Sequence, residues 1–160
     1  MQVTPDKIQS TTWKNFYDLI FANVKSVTIK GTGGADTKTI TIQNYMSQYN
    51  DKGFDAGTDY PIVIIMMPTV DMSNLTFRDT LATGNIIFEV YATQAETRDK
   101  LVQAITYQIM LNRSVLLADK ITLNPGRVIL DQDSGQFTRG TINVHYGKVM
   151  VGFQYDFTSW

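Results

Sequence analysis

Apolar residues recur with a period of two in two stretches of the chain. In residues 84–92, Ile86, Phe88 and Val90 recur at every second position, which predicts a strand with these three side chains on one face. Residues 148–157 predict the last strand by the same pattern. Its apolar positions are Val149, Val151, Phe153, Tyr155 and Phe157. In both strands, the alternating apolar side chains are expected to lie on the face that packs against the core.

A helical period follows the first of these strands. Thr93 and Glu96 have the spacing of a capping box, in which the two side chains accept hydrogen bonds from backbone N–H groups, so a helix is expected over residues 93–111. The apolar residues of this helix fall at spacings of one, three and four. They are Leu101, Val102, Ile105, Ile109 and Met110. The stripe predicts a helix that leaves the strand directly and covers the sheet.

Shorter patterns predict the helix and strands in the first half of the chain. Pro5 suits the first position of an N-terminal helix, where its missing N–H costs nothing. Residues 26–30 and 38–43 alternate around a Gly-rich turn and predict a hairpin. Residues 62–67 are apolar on both faces, which indicates a strand in the middle of the sheet rather than at its edge.

The other segments have weaker patterns. Residues 45–60 lack a steady period and are interpreted as a surface loop, while residues 69–83 are too long for a hairpin turn and are interpreted as a functional arm. Residues 112–124 are expected to return across the sheet with a short helical turn. Asn-Pro-Gly at 124–126 predicts a turn, and residues 131–135 predict a hairpin connection between the strands on either side.

The order of these elements predicts the α+β class. We expect an antiparallel or mixed central sheet with two main helices packed on one face. A length of 160 residues with 43% hydrophobic composition is typical of one compact domain, which we assign to residues 1–160.

Charge and composition exclude several function classes. The 14 basic and 15 acidic residues give a net charge of -1, so the overall positive charge of many nucleic-acid binders is missing. The absence of cysteine excludes disulfides, thiolate metal sites and cysteine nucleophiles. The N-terminal residues do not resemble a signal peptide, and the longest apolar run is far below the roughly 20 residues of a membrane span. We therefore expect a soluble protein with no membrane partner.

Each candidate catalytic or metal-binding motif lacks at least one residue that its chemistry requires. His145 is the only histidine, which excludes a site built from several histidines. The Gly-rich residues 31–34 lack the Lys-Ser/Thr ending of a phosphate loop. Asp131 and Asp133 begin like a calcium loop, but glycine at the sixth position and glutamate at the twelfth are absent. We expect no enzyme activity, no cofactor and no metal.

The order of four features resembles a known family. They are a Trp-containing N-terminal helix at residues 12–16, a Tyr-Pro entry to the central strand at 60–63, a strand-to-helix unit at 88–102 and the alternating last strand. Together they resemble the tail terminator and tail-completion (neck) proteins of long-tailed bacteriophages. The resemblance covers most of the chain.

The resemblance implies a structural virion protein. Such proteins are made in the host cytoplasm and form a homo-oligomeric ring, usually a hexamer, at the head-proximal end of the tail. The ring caps the tail tube protein and joins it to the head-tail connector or stopper protein, while DNA only passes through the lumen. Two alternatives stay open: another neck or tail component (a stopper, tail-completion or tube subunit), or a small ligand-binding α+β domain.

Interface residues are expected in the two segments that are too long and too apolar for simple connections, and at the chain end. A single basic residue, Lys52, lies among the aromatic residues of the first segment, so packing or subunit contact is favoured over nucleic-acid stacking. The predicted interface residues are Tyr45, Tyr49, Phe54, Asp71, Leu75, Phe77, Arg78 and Trp160.

Overall fold

A computed structural model describes residues 4–30, 37–41, 43–46, 60–74, 79–118, 122–130, 136–139 and 142–158. A short 3₁₀ turn at Pro5–Lys7 leads into the first helix. The helices are α1 (Ile8–Asn23), α2 (Ala95–Leu111) and α3 (Arg113–Ala118). The strands are β1 (Ser26–Lys30), β2 (Thr37–Thr41), β3 (Gln43–Met46), β4 (Ile62–Ile65), β5 (Thr69–Asn74), β6 (Asp79–Ala92), β7 (Thr122–Leu130), β8 (Gln136–Arg139) and β9 (Ile142–Thr158). The chain is α+β, as predicted.

Two long antiparallel strands, β6 and β9, form the centre of the main sheet. They pair along the whole length of β6, from Asp79 opposite Thr158 to Ala92 opposite His145. The sheet order is β3-β4-β6-β9-β7, with β5 also paired to β6 and β8 also paired to β9. The β3–β4 pair is parallel, so the sheet is mixed. The β1–β2 hairpin predicted from the sequence forms a separate two-stranded sheet.

A bulge separates β4 from β5 along the same edge of β6. Ile65 lies opposite Phe88 and Thr69 lies opposite Asn85, so three residues on one side face two on the other. An extra residue bends a strand and changes which backbone groups approach its partner. The Thr69 carbonyl oxygen here lies so close to Gly84 that a Cβ atom at this position would overlap it.

The main core lies between one face of the sheet and helices α1 and α2. The two sequence ladders are confirmed: their buried members are Ile86, Phe88, Val90, Val149, Val151, Phe153 and Tyr155. Helix α2 contributes the fully buried Leu101, Ile105 and Ile109. Removal of these side chains from water is the main driving force for packing both helices on this face.

Helix α1 is attached to the sheet by buried polar contacts as well as by packing. The Trp13 indole N–H donates to the Ile65 carbonyl oxygen at 2.8 Å, next to the bulge. The Thr12 and Tyr155 hydroxyl groups share a hydrogen bond of 2.5 Å in the interior. Phe16 packs edge-on against Phe88 with ring centroids 5.9 Å apart. These contacts fix the helix over β4, β6 and β9.

The predicted start of α2 was wrong by two residues. Gln94 is the N-cap residue with an extended backbone and no capping side-chain bond, so the capping box of Thr93 and Glu96 does not form. Glu96 instead lies 3.2 Å from the Lys100 ammonium group one turn later. Met110 was assigned to the core stripe but is 48% exposed, because it lies about 100° around the helix from Ile109, outside the buried stripe.

The predicted pairing of the C-terminal strands was also wrong. β7 and β8 both pair with β9, and the hairpin is the β8–β9 one, with Arg139 opposite Ile142. The Asn-Pro-Gly sequence at 124–126 lies inside β7, where the register with β9 shifts between Leu123 and Val128. β9 has 17 residues, so β7 and β8 can both pair with it, one after the other along the same edge.

The two segments interpreted as a loop and an arm also contain strands. Residues 43–46 form β3, so the interval 45–60 begins inside a strand. Residues 69–83 were judged too long for a hairpin turn, but most of them are the paired strands β5 and β6 of a hairpin. Few apolar residues are needed there because most of β5 is exposed.

Candidate interaction surfaces

Two of the predicted interface residues lie in described strands. Tyr45 belongs to β3 and lies opposite Ile64 of β4. Asp71 belongs to β5, is exposed and lies opposite Thr83. Tyr49, Phe54, Leu75, Phe77, Arg78 and Trp160 lie outside the described residues. Their role at an interface stays a prediction.

An apolar patch covers the end of α2 and the start of α3. Four large side chains there are between 48% and 61% exposed. They are Tyr107, Met110, Leu111 and Val115, and we call them the α2–α3 patch. The first half of the same helix is charged instead, with a Glu96–Lys100 ion pair and an Arg98–Asp99 contact. The exposed apolar surface is therefore confined to one end of the helix.

Two exposed methionines lie near the β4–β5 edge, on opposite faces of the sheet, because Met72 lies opposite the buried Ala82 and Met66 follows Ile65, which lies opposite the buried Phe88. Met66 in the bulge is 36% exposed and Met72 on β5 is 51% exposed. β5 pairs with β6 alone among the strands that the structure describes. We call Met72 and the outer side of β5 the β5 edge. Methionine adapts its shape to a partner surface more readily than branched residues do.

Sequence reasoning missed the α2–α3 patch, although a signal was present. Tyr107 and Leu111 are four residues apart, as are Leu101, Ile105 and Ile109, but the two sets lie on different sides of a helix with 3.6 residues per turn. A helix that is apolar on both sides at one end has more apolar surface than the sheet below it can cover.

The sheet face opposite the helices carries a half-buried polar network. The Tyr91 hydroxyl donates to a Glu89 carboxylate oxygen at 2.8 Å, and the Tyr91 and Tyr146 rings lie 5.3 Å apart. Lys148 lies directly opposite Glu89 on β9. Burial raises the pKa of Tyr91 above its ordinary value, and the Glu89 carboxylate raises it further. Tyr91 therefore stays protonated and acts as a donor, which suits a structural role.

Metal-binding groupings do not emerge from the described residues. Within them, no group of three His, Asp or Glu side chains could hold a metal ion. His145 is half-buried on β9, opposite Ala92. An open depression of about 280 Å³ lies between the start of α1 and Met67. Its volume is at the lower limit of ligand pockets, roughly 300–1,000 Å³.

A hydrogen bond with Thr4 holds the pKa of the Asp6 carboxyl, in the wall of this depression, below its ordinary value. A carboxylate of this kind is fully ionised at neutral pH and would be a weak general acid.

Comparisons with family models and with curated proteins assign this chain to no family. No protein-family model matches the chain, and no curated protein matches its sequence. Among the described residues, no helix has the length and apolar character needed to cross a membrane.

Proposed function

We propose that this protein is a structural virion component that forms a ring at the head-proximal end of a bacteriophage tail. The ring would cap the tail tube and present a second surface to the head-tail connector or stopper protein. Six subunits is the number that the resemblance implies. The subunit would be made in the host cytoplasm and act in the virion, with DNA only passing through the ring.

One observation carries the proposal: the features behind the resemblance belong to one packed unit. Trp13 of α1 hydrogen-bonds to Ile65 at the end of the strand that follows Tyr60 and Pro61. β6 leads into α2, which packs on both β6 and β9. The family resemblance thus rests on parts that fold together and not on scattered similarities.

The distribution of surface chemistry supports the same function. The described residues present exposed apolar side chains on the α2–α3 patch, near the β5 edge and at Phe21 of α1, whereas no group of three of their His, Asp or Glu side chains could hold a metal ion. Large exposed apolar patches usually mark contacts with other proteins. A net charge of -1 also suits a ring through which DNA passes without binding tightly.

The test is the assembly state of the purified chain, alone and with its cognate tail tube protein. Light scattering should give one discrete species several times the 18.0 kDa subunit mass, and negative-stain electron microscopy should show rings. Added to polymerising tube protein, the chain should shorten the tubes and lie at one end of each tube. Tube protein without the chain is the control.

Other assembly states would indicate other functions. Long polymers of the chain alone would favour a tube subunit instead of a terminator, because head-to-tail contacts that do not close give filaments. A monomer at high concentration that also ignores the tube protein would contradict the proposed function.

A further inference from the structure

Strand β5 is much less buried than β4, which precedes it on the same edge of β6. All four residues of β4 are buried. None of residues 69–73 in β5 is buried, and Met72 is 51% exposed. β5 also pairs with β6 alone among the strands that the structure describes. A strand with few buried side chains opens locally at a lower free-energy cost than a core strand, so β5 is expected to separate from β6 more readily than β4 does.

The bulge between β4 and β5 is the point about which such an opening would turn. The backbone stays paired as far as Met66, whose N–H donates to the Ile87 carbonyl oxygen at 2.9 Å. Pairing resumes at Thr69, opposite Asn85. A bulge takes the residues between these points out of the regular ladder, so their backbone groups need partners elsewhere.

Helix α1 supplies a hydrogen-bond donor on each side of the bulge. The Trp13 indole N–H donates to the Ile65 carbonyl oxygen at 2.8 Å, and the Gln9 side-chain amide donates to the Pro68 carbonyl oxygen at 3.0 Å. Gln9 and Trp13 are four residues apart, so they lie on the same side of the helix, one turn from each other. Trp13 is buried and Gln9 is exposed. The Gln9 bond is therefore the one that can break without disturbing the core.

We propose that β5 is a strap that opens from β6 while the rest of the sheet stays folded, and that Gln9 is a positioning residue that holds the strap closed. In the closed state, the Gln9 amide fixes the Pro68 carbonyl, and the next residue, Thr69, lies against Gly84. When the Gln9 bond breaks, the chain turns about the bulge and β5 leaves the edge of β6. Asp71, a predicted interface residue, moves with the strap. The inference goes beyond the proposed function because it concerns a motion within one subunit.

Hydrogen exchange of the full-length chain, followed by mass spectrometry, tests whether the strap opens alone. Peptides covering residues 69–74 measure β5, and peptides covering residues 149–155 measure β9. In the wild type, the slowest amides of β5 should have a protection factor at least about tenfold lower than those of β9. Their exchange should also depend little on low concentrations of urea, because local opening exposes little surface.

Gln9→Glu tests the role of the amide, and Gln103→Glu is the matched control. Glutamate has nearly the size of glutamine, but its ionised carboxylate has no N–H to donate to the Pro68 carbonyl. The protection factor of β5 should fall about two- to tenfold, as expected for one hydrogen bond, while that of β9 stays unchanged. Gln103 is exposed on α2, so its substitution should change neither strand. Gln9→Lys, whose ammonium group can donate to the same carbonyl, should restore part of the protection.

Three results would overturn the proposal. Equal protection and equal urea dependence in β5 and β9 would mean that β5 opens only when the whole molecule unfolds. Unchanged protection of β5 in Gln9→Glu would mean that the amide does not hold the strap. An equal loss in β5 and β9 would mean that Gln9 contributes to overall stability only. None of these measurements concerns assembly, so failure here leaves the proposed ring function standing.

Discussion

Replacing Gly84 with alanine adds one methyl group where the bulge brings β5 closest to β6. The new Cβ atom would overlap the Thr69 carbonyl oxygen and lie 2.7 Å from Cζ of Phe153. The carbonyl oxygen belongs to the backbone, so a change of side-chain rotamer cannot move it. Relief requires β5 to move away from β6 or the buried Phe153 ring to shift.

The expected cost is at the upper end for overpacking. Adding a methyl group to a filled core usually destabilises by about 1–3 kcal/mol. Because one of the two overlaps here is with backbone, we expect Gly84→Ala to lower the free energy of unfolding by about 3 kcal/mol. For a domain of this size, that corresponds to a fall in melting temperature of about 6–12 °C.

Gly147→Ala provides a matched comparison on the neighbouring strand. A Cβ at Gly147 would lie 3.0 Å from a Val102 methyl carbon and 3.1 Å from the Arg98 side chain, which is flexible. These neighbours can move by a few tenths of an ångström, so we expect a loss of no more than about 1 kcal/mol.

Urea unfolding followed by circular dichroism measures both variants. If Gly84→Ala is as stable as the wild type, or loses no more than Gly147→Ala, β5 does not approach β6 as described. The bulge assignment would then be wrong.

Three further predictions concern the core and the polar contacts. Ile105→Asp should lower the free energy of unfolding by more than about 4 kcal/mol, because Ile105 is fully buried under α2 and an unpaired charge there has no partner; an unchanged melting temperature would show that the face of α2 is assigned wrongly. Trp13→Phe should cost about 1–3 kcal/mol by removing the indole donor to the Ile65 carbonyl, and equal stability in urea would contradict that bond. Because burial raises the pKa of Tyr91, the folded state keeps a proton that the unfolded state loses above its ordinary pKa of about 10. The free energy of unfolding should therefore fall as the pH rises past about 10, by at most about 1.4 kcal/mol per pH unit, and this contribution should be absent in Tyr91→Phe but present in Tyr107→Phe.

Local periodicity was sufficient to predict the central parts of the fold. The alternation at Ile86, Phe88 and Val90 placed one face of β6 in the core, and the spacing of Leu101 and Ile105 placed one face of α2 against it. Burial of one face of a regular element leaves a repeating pattern in the sequence, so these assignments need no knowledge of partners.

The candidate surfaces were harder to predict for a physical reason. Met110 is apolar and adjacent to the core residue Ile109, yet it is half exposed. Whether such a residue is core or surface depends on how far the sheet extends beneath the helix. The pattern within one helix does not contain that information, because several apolar arcs can satisfy the same helical period.

The sequence by itself determined the class of the fold, the two apolar ladders and the absence of cysteine chemistry, since these depend on residue type and on spacing along one element. Only the tertiary structure decided that β7 and β8 share one edge of β9, that a bulge separates β4 from β5, and that the side chains of the α2–α3 patch stay exposed. Strand pairing and exposure arise from contacts between residues far apart in the chain. Such contacts are selected by the packing of the whole molecule and leave only a weak local pattern.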